Sequence, residues 1–483
     1  VDLTLWQAFL LELGLGTIGV VAGWAVPALP LLARIEKAFA RLAANPALSF
    51  FSLVLASIAL RLLLLPIEPV PGPLYHDEFS YLLGADTFVH GRLTNPTPAI
   101  PIAFESIHVN MSPTYQSMYL PGVALALAAG RLLGSAWIAV LLITALFCGT
   151  VYWMTAAWLP RAYALLAGII AIAITGNLNW WFDNYFCIAL TSLGTALLLG
   201  SLPRIAATLH ARWALLGGVG LSVLMLTRPY EGLCVTLPCV LTLLWQLRRK
   251  GPRTLSLLIV AACSPLLLAG AWLLFYNWRS TGHALLFPYM VDFARYHITG
   301  PFLFSAKRAL PPYDLDILRR FYIFAEVSQY DFVHKHPWLF LAKKIAVYYV
   351  AVLIGFGLPF VAGLVYLIRT RRNGLWMAVL LGFCGLVVNV VLMAWSPFPQ
   401  YIAPAFPLLL LVTALGFFQM QQMSLRRVTG SRIRLAGEKS SAHARYDACR
   451  KVVRCIFTPR ARLASGASSN VGRGAQATQT VLP

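Results

Sequence analysis

The residues best suited to chemistry gather in one stretch, Pro71 to Pro121, and at its head stand His76, Asp77 and Glu78. Two adjacent carboxylates at the edge of an apolar region can take raised or split pKa values, which suits one of them to accept a proton as a general base. A structural reading competes: Asp77 capping the N-terminus of a short amphipathic helix that stops at Gly91, with Glu78 complementing its dipole. Glu105 and His108 follow in the same stretch, and with His76 and Asp77 they make a set that a divalent cation would accept, although the spacing matches no diagnostic ligand pattern. Asn110-Met111-Ser112 fits a glycosylation sequon, a frequent chance match.

Cations able to hold a departing anion are also present. Arg228 stands at the end of an apolar run beside Glu231, where a charged pair is costly without a function or a firm partner; a plain ion pair explains it equally well. Arg295, Lys307 and Arg308 are alternative phosphate holders, each with the blander reading of a solvated or headgroup-facing charge. Trp180-Trp181-Phe182-Asp183 ends another apolar run. Its aromatics read as interfacial anchors, and Asp183 is a candidate for contact with a sugar. Tyr296-His297, His334 and His336 are further loop candidates, although loop histidines are usually just solvated.

The elements that must position these residues are dictated by composition. The chain of 483 residues is 59% hydrophobic and 11% charged, less than half the usual charge content of a water-exposed surface. Apolar runs near 6–33, 47–66, 136–158, 161–177, 185–200, 212–228, 231–247, 254–276, 341–368, 375–395 and 399–419 have helix-spanning length. Runs such as Thr254–Tyr276 leave almost no polar residues for a lumen, which excludes a barrel. The expected fold class is therefore an all-α integral membrane protein with about eleven transmembrane helices and amphipathic juxtamembrane helices in the first outer loop.

Charge sets the orientation. Arg34/Lys37/Arg41, Arg161, Arg204/Arg212, Arg248/Arg249/Lys250/Arg253, Arg369/Arg371/Arg372 and Arg426/Arg427 all fall on one side, by rule the cytoplasmic one, only if residues 119–134 do not cross. That segment, with Arg131 and an early Pro-Gly, reads as a helix lying in the outer interface or entering it shallowly. Two long outer loops result, 67–135 and 277–340. Twelve of the 17 acidic residues lie in the outer connections or at their edges. The net charge of +21 is thus spread over inner loops, against a nucleic-acid binder. The eight cysteines avoid both long loops and form no CxxC pair, which predicts neither a disulfide framework nor a structural zinc. The first 44 residues form an extra span and inner loop, and 421–483 a basic, disordered cytoplasmic tail.

The phrase HDEFSYLLGADTFVHGRLTNP, from His76 to Pro96, resembles the GT-C superfamily of polytopic glycosyltransferases, in a bacterial branch near the protein O-mannosyltransferase and aminoarabinose transferase families. Tyr119-Leu120-Pro121-Gly122 is similar to the juxtamembrane Pro-containing helix of that family. Thr227-Arg228-Pro229-Tyr230-Glu231-Gly232, Tyr276–Gly282 and Pro399-Gln400-Tyr401-Ile402-Ala403-Pro404 resemble later segments, with Gln400 where relatives tend to carry His. The likeness covers about 45–420 and leaves the first span and the tail aside. It implies transfer of one sugar from a polyprenyl-phosphate donor to a lipid, glycan or protein acceptor on the periplasmic face of a bacterial inner membrane. Asp77 is then the base, with Glu78 its substitute in another register. The implied substrate contacts are His76, Glu105, His108, Asp183, Arg228, Glu231, Arg295, Lys307, Arg308 and Tyr401. The likeness names no definite cofactor and is compatible with a divalent cation, since metal-free and metal-using relatives both exist. The rival reading is a lipid or solute transporter, which expects ionisable residues near mid-membrane; the middle of most runs is clean, with Glu12 and Arg61 the main exceptions. A non-catalytic scaffold is the third reading.

Overall fold

The computed structural model describes residues 30–176, 182–353, 355–369, 374–395 and 397–435. Nearly all of the first apolar run, Trp180-Trp181, Arg371/Arg372 and residues 436–483 lie outside them. Helix dominates: α1 (Pro30–Ala44), α2 (Pro46–Leu63), α3 (His76–Val89), α4 (Pro121–Leu132), α5 (Ala136–Thr155), α6 (Arg161–Gly176), α7 (Ile188–Thr208), α8 (Ala211–Thr227), α9 (Pro229–Leu247) and α10 (Pro252–Thr281). After them come α11 (Pro288–Tyr296), α12 (Asp316–Phe321), a π-helix (Tyr322–Val327), α13 (Ser328–Lys335) and α14 (Pro337–Tyr348). A second π-helix (Tyr349–Leu353), α15 (Gly357–Arg369), α16 (Trp376–Leu392), a 3-10 segment (Pro399–Ala405) and α17 (Phe406–Leu435) complete the order. Among the described residues the only sheet is a two-residue antiparallel pair, β1 (Val109–Asn110) and β2 (Gln116–Ser117).

Six helices among the described residues are long and apolar enough to cross a membrane: α2, α5, α7, α9, α10 and Pro399–Met423. α6, α8, α15 and α16 are apolar but shorter. α4 has 12 residues, about 18 Å of helix against a hydrocarbon core of about 30 Å, so it is too short to cross alone. It packs between α3, α5 and α8. The last helix runs on through Leu435, so residues 421–435 are helical where the sequence suggested a disordered tail.

The most buried part is the last long helix, threaded through the bundle with Phe406, Leu408, Leu411 and Leu415 at 1% exposure or less. Lipid tails offer no hydrophobic gain for joining apolar helices, so close backbone approach at small residues has to hold them. Gly363 of α15 faces the carbonyl of Val412, Gly416 of α17 faces that of Pro359, and Gly385 of α16 faces that of Cys234. Arg61, in the last turn of α2, is buried and bound. It donates to Asp183 through Nε (3.0 Å) and Nη2 (2.5 Å), and to the carbonyls of Glu68 and Pro69 at 2.9 and 3.3 Å. That set pins the chain as it leaves α2 for α3.

A side chain at 416 has no room beside the Pro359 carbonyl. Gly416→Val is expected to destabilise the protein by about 1–3 kcal/mol, as overpacking does. Gly251→Ser, at a helix N-cap with open space around it, is expected to leave stability unchanged. Thermal unfolding of the purified variants checks both.

Candidate active site

α3 begins where the extended Tyr75 meets His76, and the side chain that satisfies its opening turn is Glu78. Glu78 is fully buried. Its Oε2 accepts the backbone N–H groups of Leu74 (2.9 Å) and Tyr75 (3.1 Å), and its Oε1 accepts that of Tyr185 (3.0 Å). With both oxygens occupied, Glu78 is a tie between segments. α3 ends at Val89, and Gly91 beyond it takes φ +69, a conformation glycine adopts freely.

Relieved of capping, Asp77 faces two groups. Tyr119 donates its hydroxyl to Oδ1, and His108 Nδ1 lies 3.6 Å from Oδ2 and 3.2 Å from the Tyr119 oxygen. Burial, and then the Asp77 charge, hold the Tyr119 hydroxyl well above its ordinary pKa, so it remains a donor at neutral pH. His108 has φ 63, rare for a non-glycine residue, and its carbonyl is held by Ser80 Oγ at 2.7 Å and by the Met118 N–H at 3.2 Å. His76 also faces this space. Burial lowers its pKa, and the neighbouring His108 lowers it further, which favours the neutral ring.

These residues line a cavity of about 560 Å³. Tyr75, His76, Asp77, His108 and Tyr119 form one wall. His297, Thr299 and Gly300, Phe321 with the first π-helix and α13 after it, Lys343 of α14, Phe186, and Ala394, Trp395, Phe398, Gln400 and Tyr401 form the rest. Backbone bonds close it: Leu303 N–H to the Leu392 carbonyl (2.9 Å) and Ala394 N–H to that of Pro301 (2.7 Å).

His297 organises the far wall. It is 2% exposed, its Nε2 lies 3.1 Å from Asp292 Oδ1, and its Nδ1 is paired with Glu326. Glu326 Oε2 also accepts the N–H groups of Ile298 (2.9 Å) and Thr299 (3.3 Å). Burial alone would lower the pKa of this histidine; the bonds to Asp292 and Glu326 override it and raise it to about 9. The ring is a cation clamped between two acids, lying parallel to His108 at 6.4 Å between centroids.

Of the other residues singled out in the sequence, Gln400 and Tyr401 line the cavity. Arg228 pairs with Glu231 at 3.1 Å and lies over the Tyr401 ring at 5.1 Å, supporting that wall from behind. Glu105 accepts from Tyr296 (2.6 Å) and Arg295 (3.2 Å), away from His76, Asp77 and His108, so the four-residue cation set is not assembled. Among the described residues no cluster of three or more His, Cys, Asp or Glu side chains has the arrangement to hold a metal ion. Asp183 is the partner of Arg61 and of Trp137 Nε1 (2.8 Å), not a cavity group. Lys307 pairs with Asp331 at 2.5 Å, and Arg308 donates to the carbonyls of Phe293 and Ala294 near the end of α11. Asn110 is 1% exposed and donates to the Pro288 carbonyl (2.8 Å), so its sequon is not presented for glycosylation.

The cavity cation that the sequence reading missed is Lys343, which has no ion-pair partner among the described residues. A signal existed: Lys343-Lys344 opens an apolar run that is otherwise free of charge. Lys344 is buried and donates to the Val390 carbonyl at 2.9 Å. Asp292, Glu326 and Trp395 carried no spacing signal. No family model, curated protein or solved structure matches this chain.

Folding gives the His297 cation two partners, so its contribution is complete below pH 6.5 and is lost as pH rises through about 9. The difference corresponds to roughly 3 kcal/mol. The thermal midpoint of the wild type is expected to fall across that window, and His297→Gln to be less stable at pH 6.5 and to lack that component of the fall. A pH series on both proteins is the check.

Proposed function

We propose that this chain is a polytopic membrane glycosyltransferase that moves a single sugar from a polyprenyl-phosphate donor to an acceptor hydroxyl. The observation that carries the reading is Asp77: a carboxylate beside two histidines and a donor tyrosine, on the wall of a cavity with room for a sugar. The likeness of His76–Pro96 to the GT-C superfamily supports the same conclusion. In this reaction the acceptor oxygen bonds to the anomeric carbon as that carbon's bond to the phosphate oxygen breaks. The hydroxyl proton passes to Asp77, and the polyprenyl phosphate leaves with the bonding pair. Tyr119 orients the carboxylate, and Lys343 is the cation available to the departing phosphate.

The proposed topology has eleven crossings: the six long helices, α6, α8 and α16, the interrupted α14–α15 pair counted once in place of α15 alone, and the run that lies mostly before the described residues. The cavity then opens to the periplasmic face of a bacterial inner membrane. What supports this orientation is that the cavity draws its wall from both long outer loops, from the turn near 398 and from the adjoining helix ends, the very segments that charge parity leaves on one side. Transport is the second reading, favoured by the π-helical interruption between α14 and α15.

The test is sugar release from radiolabelled polyprenyl-phosphate hexoses, supplied with a membrane extract of the source cells. Asp77→Asn is expected to insert and unfold like wild type but to turn over about 10²–10⁴-fold more slowly. Near-wild-type turnover would remove Asp77 from the base role. If neither protein consumes lipid-linked sugar, yet vesicles containing them move labelled lipid across the bilayer, the transport reading replaces this one.

A further inference from the structure

Two residues of the cavity wall carry buried polar atoms with nothing to bond. Gln400 is 3% exposed, and its Oε1 has no hydrogen-bond partner among the described residues. Trp395, on the same wall, leaves its indole Nε1–H in the same condition. Buried polar groups are almost always paired, and an unpaired one calls for a ligand or a water to complete it. One atom is an acceptor and the other a donor, and they stand among apolar rings: Trp395 meets Tyr401 edge to face at 6.1 Å, and Phe398 lines the same wall. That combination is complementary to a sugar ring, which offers hydroxyls that both give and take hydrogen bonds and a C–H face for an aromatic surface.

The backbone that presents Gln400 is held in advance. Its 3-10 segment is bounded by Pro399 and contains Pro404. Asn389 Nδ2 donates to the Tyr401 carbonyl at 2.9 Å, and Ser192 Oγ to that of Ala403 at 2.8 Å. A subsite built on restrained backbone reads geometry more strictly than one on a free loop. The neutral amide also reads hydroxyls without adding a charge to the cavity that holds Asp77.

We propose that Gln400 and Trp395 form the hydroxyl-reading subsite for the transferred sugar, Gln400 accepting from one ring hydroxyl and Trp395 donating to another. This rests on the glycosyltransferase reading and adds to it the part of the wall that selects the sugar. A site that pairs with a hydroxyl discriminates against the analogue lacking it, because its own polar group is then left unpaired.

The experiment measures kcat/KM for sugar release by the full-length protein from polyprenyl-phosphate hexoses and their singly deoxygenated analogues. In wild type, removing the hydroxyl read by Gln400 is expected to cost roughly ten- to a hundredfold. Gln400→Met is expected to lose that discrimination, and Trp395→Phe to lose it at a different ring position. Wild type that treats all deoxy analogues within about twofold of the parent overturns the proposal without any variant. Variants that keep the wild-type ranking of analogues overturn it too. Binding of the same donors to the Asp77→Asn protein supplies the ranking where turnover of a variant is too slow to measure. Wild type that releases sugar from no donor removes the glycosyltransferase reading and this subsite with it, an outcome distinct from release that is indifferent to the hydroxyls.

Discussion

The carboxylate of Glu78 accepts three backbone N–H groups from two separate segments, in a place where no water competes for it. Leu74 and Tyr75 come from the approach to α3, and Tyr185 from the turn before α7, more than a hundred residues away. Hydrogen bonds to a charged acceptor are the stronger kind, and a buried carboxylate left without them is severely penalised. The tie therefore sets both where α3 starts and how it leans on the bundle. Asp77 inherits its direction from that arrangement. Two neighbouring acids of one type have unrelated tasks because one is consumed in holding the helix that carries the other.

The far side of the cavity is held by the same physics with the charges exchanged. His297 is the cation, and Asp292 and Glu326 come to it from α11 and the first π-helix. Glu326 then fixes the turn at Ile298 and Thr299. The connection from α10 to α14 carries only short helices, which cannot order themselves alone. A buried charge cluster and the small core of Ile107, Tyr296, Ile298, Leu318 and Tyr322 do that instead. Since Ile107 precedes His108, the two long loops meet at the site.

Much of this was legible in the residues. Length and apolarity of the runs gave the all-α class and the places of the long helices, and charge parity argued against α4 as a crossing. The stretch that holds Asp77 and His108 stood out by its density of ionisable groups. The partners of the cations were not legible. Arg228, Arg295, Lys307 and Arg308 are conspicuous because they are charged beside apolar runs or in a long loop, yet each is bound to a neighbouring carboxylate or carbonyl. Such pairing depends on distances across the fold that spacing along the chain does not encode. Lys343 was hidden by the opposite effect, a charge counted into an apolar run.

By itself the sequence determined the solvent of each segment. Burying a helix in lipid requires a long run of apolar side chains, and that requirement is written locally, residue by residue. The placing of basic clusters is equally local, so the division of the loops into two sets needs no coordinates. Only the tertiary structure decided which of two adjacent carboxylates faces the cavity, which histidine is clamped, and which buried amide is left without a partner among the described residues. Those outcomes follow from which donor lies within about 3 Å of which acceptor, a relation between residues far apart in the chain that exists only once the helices have packed.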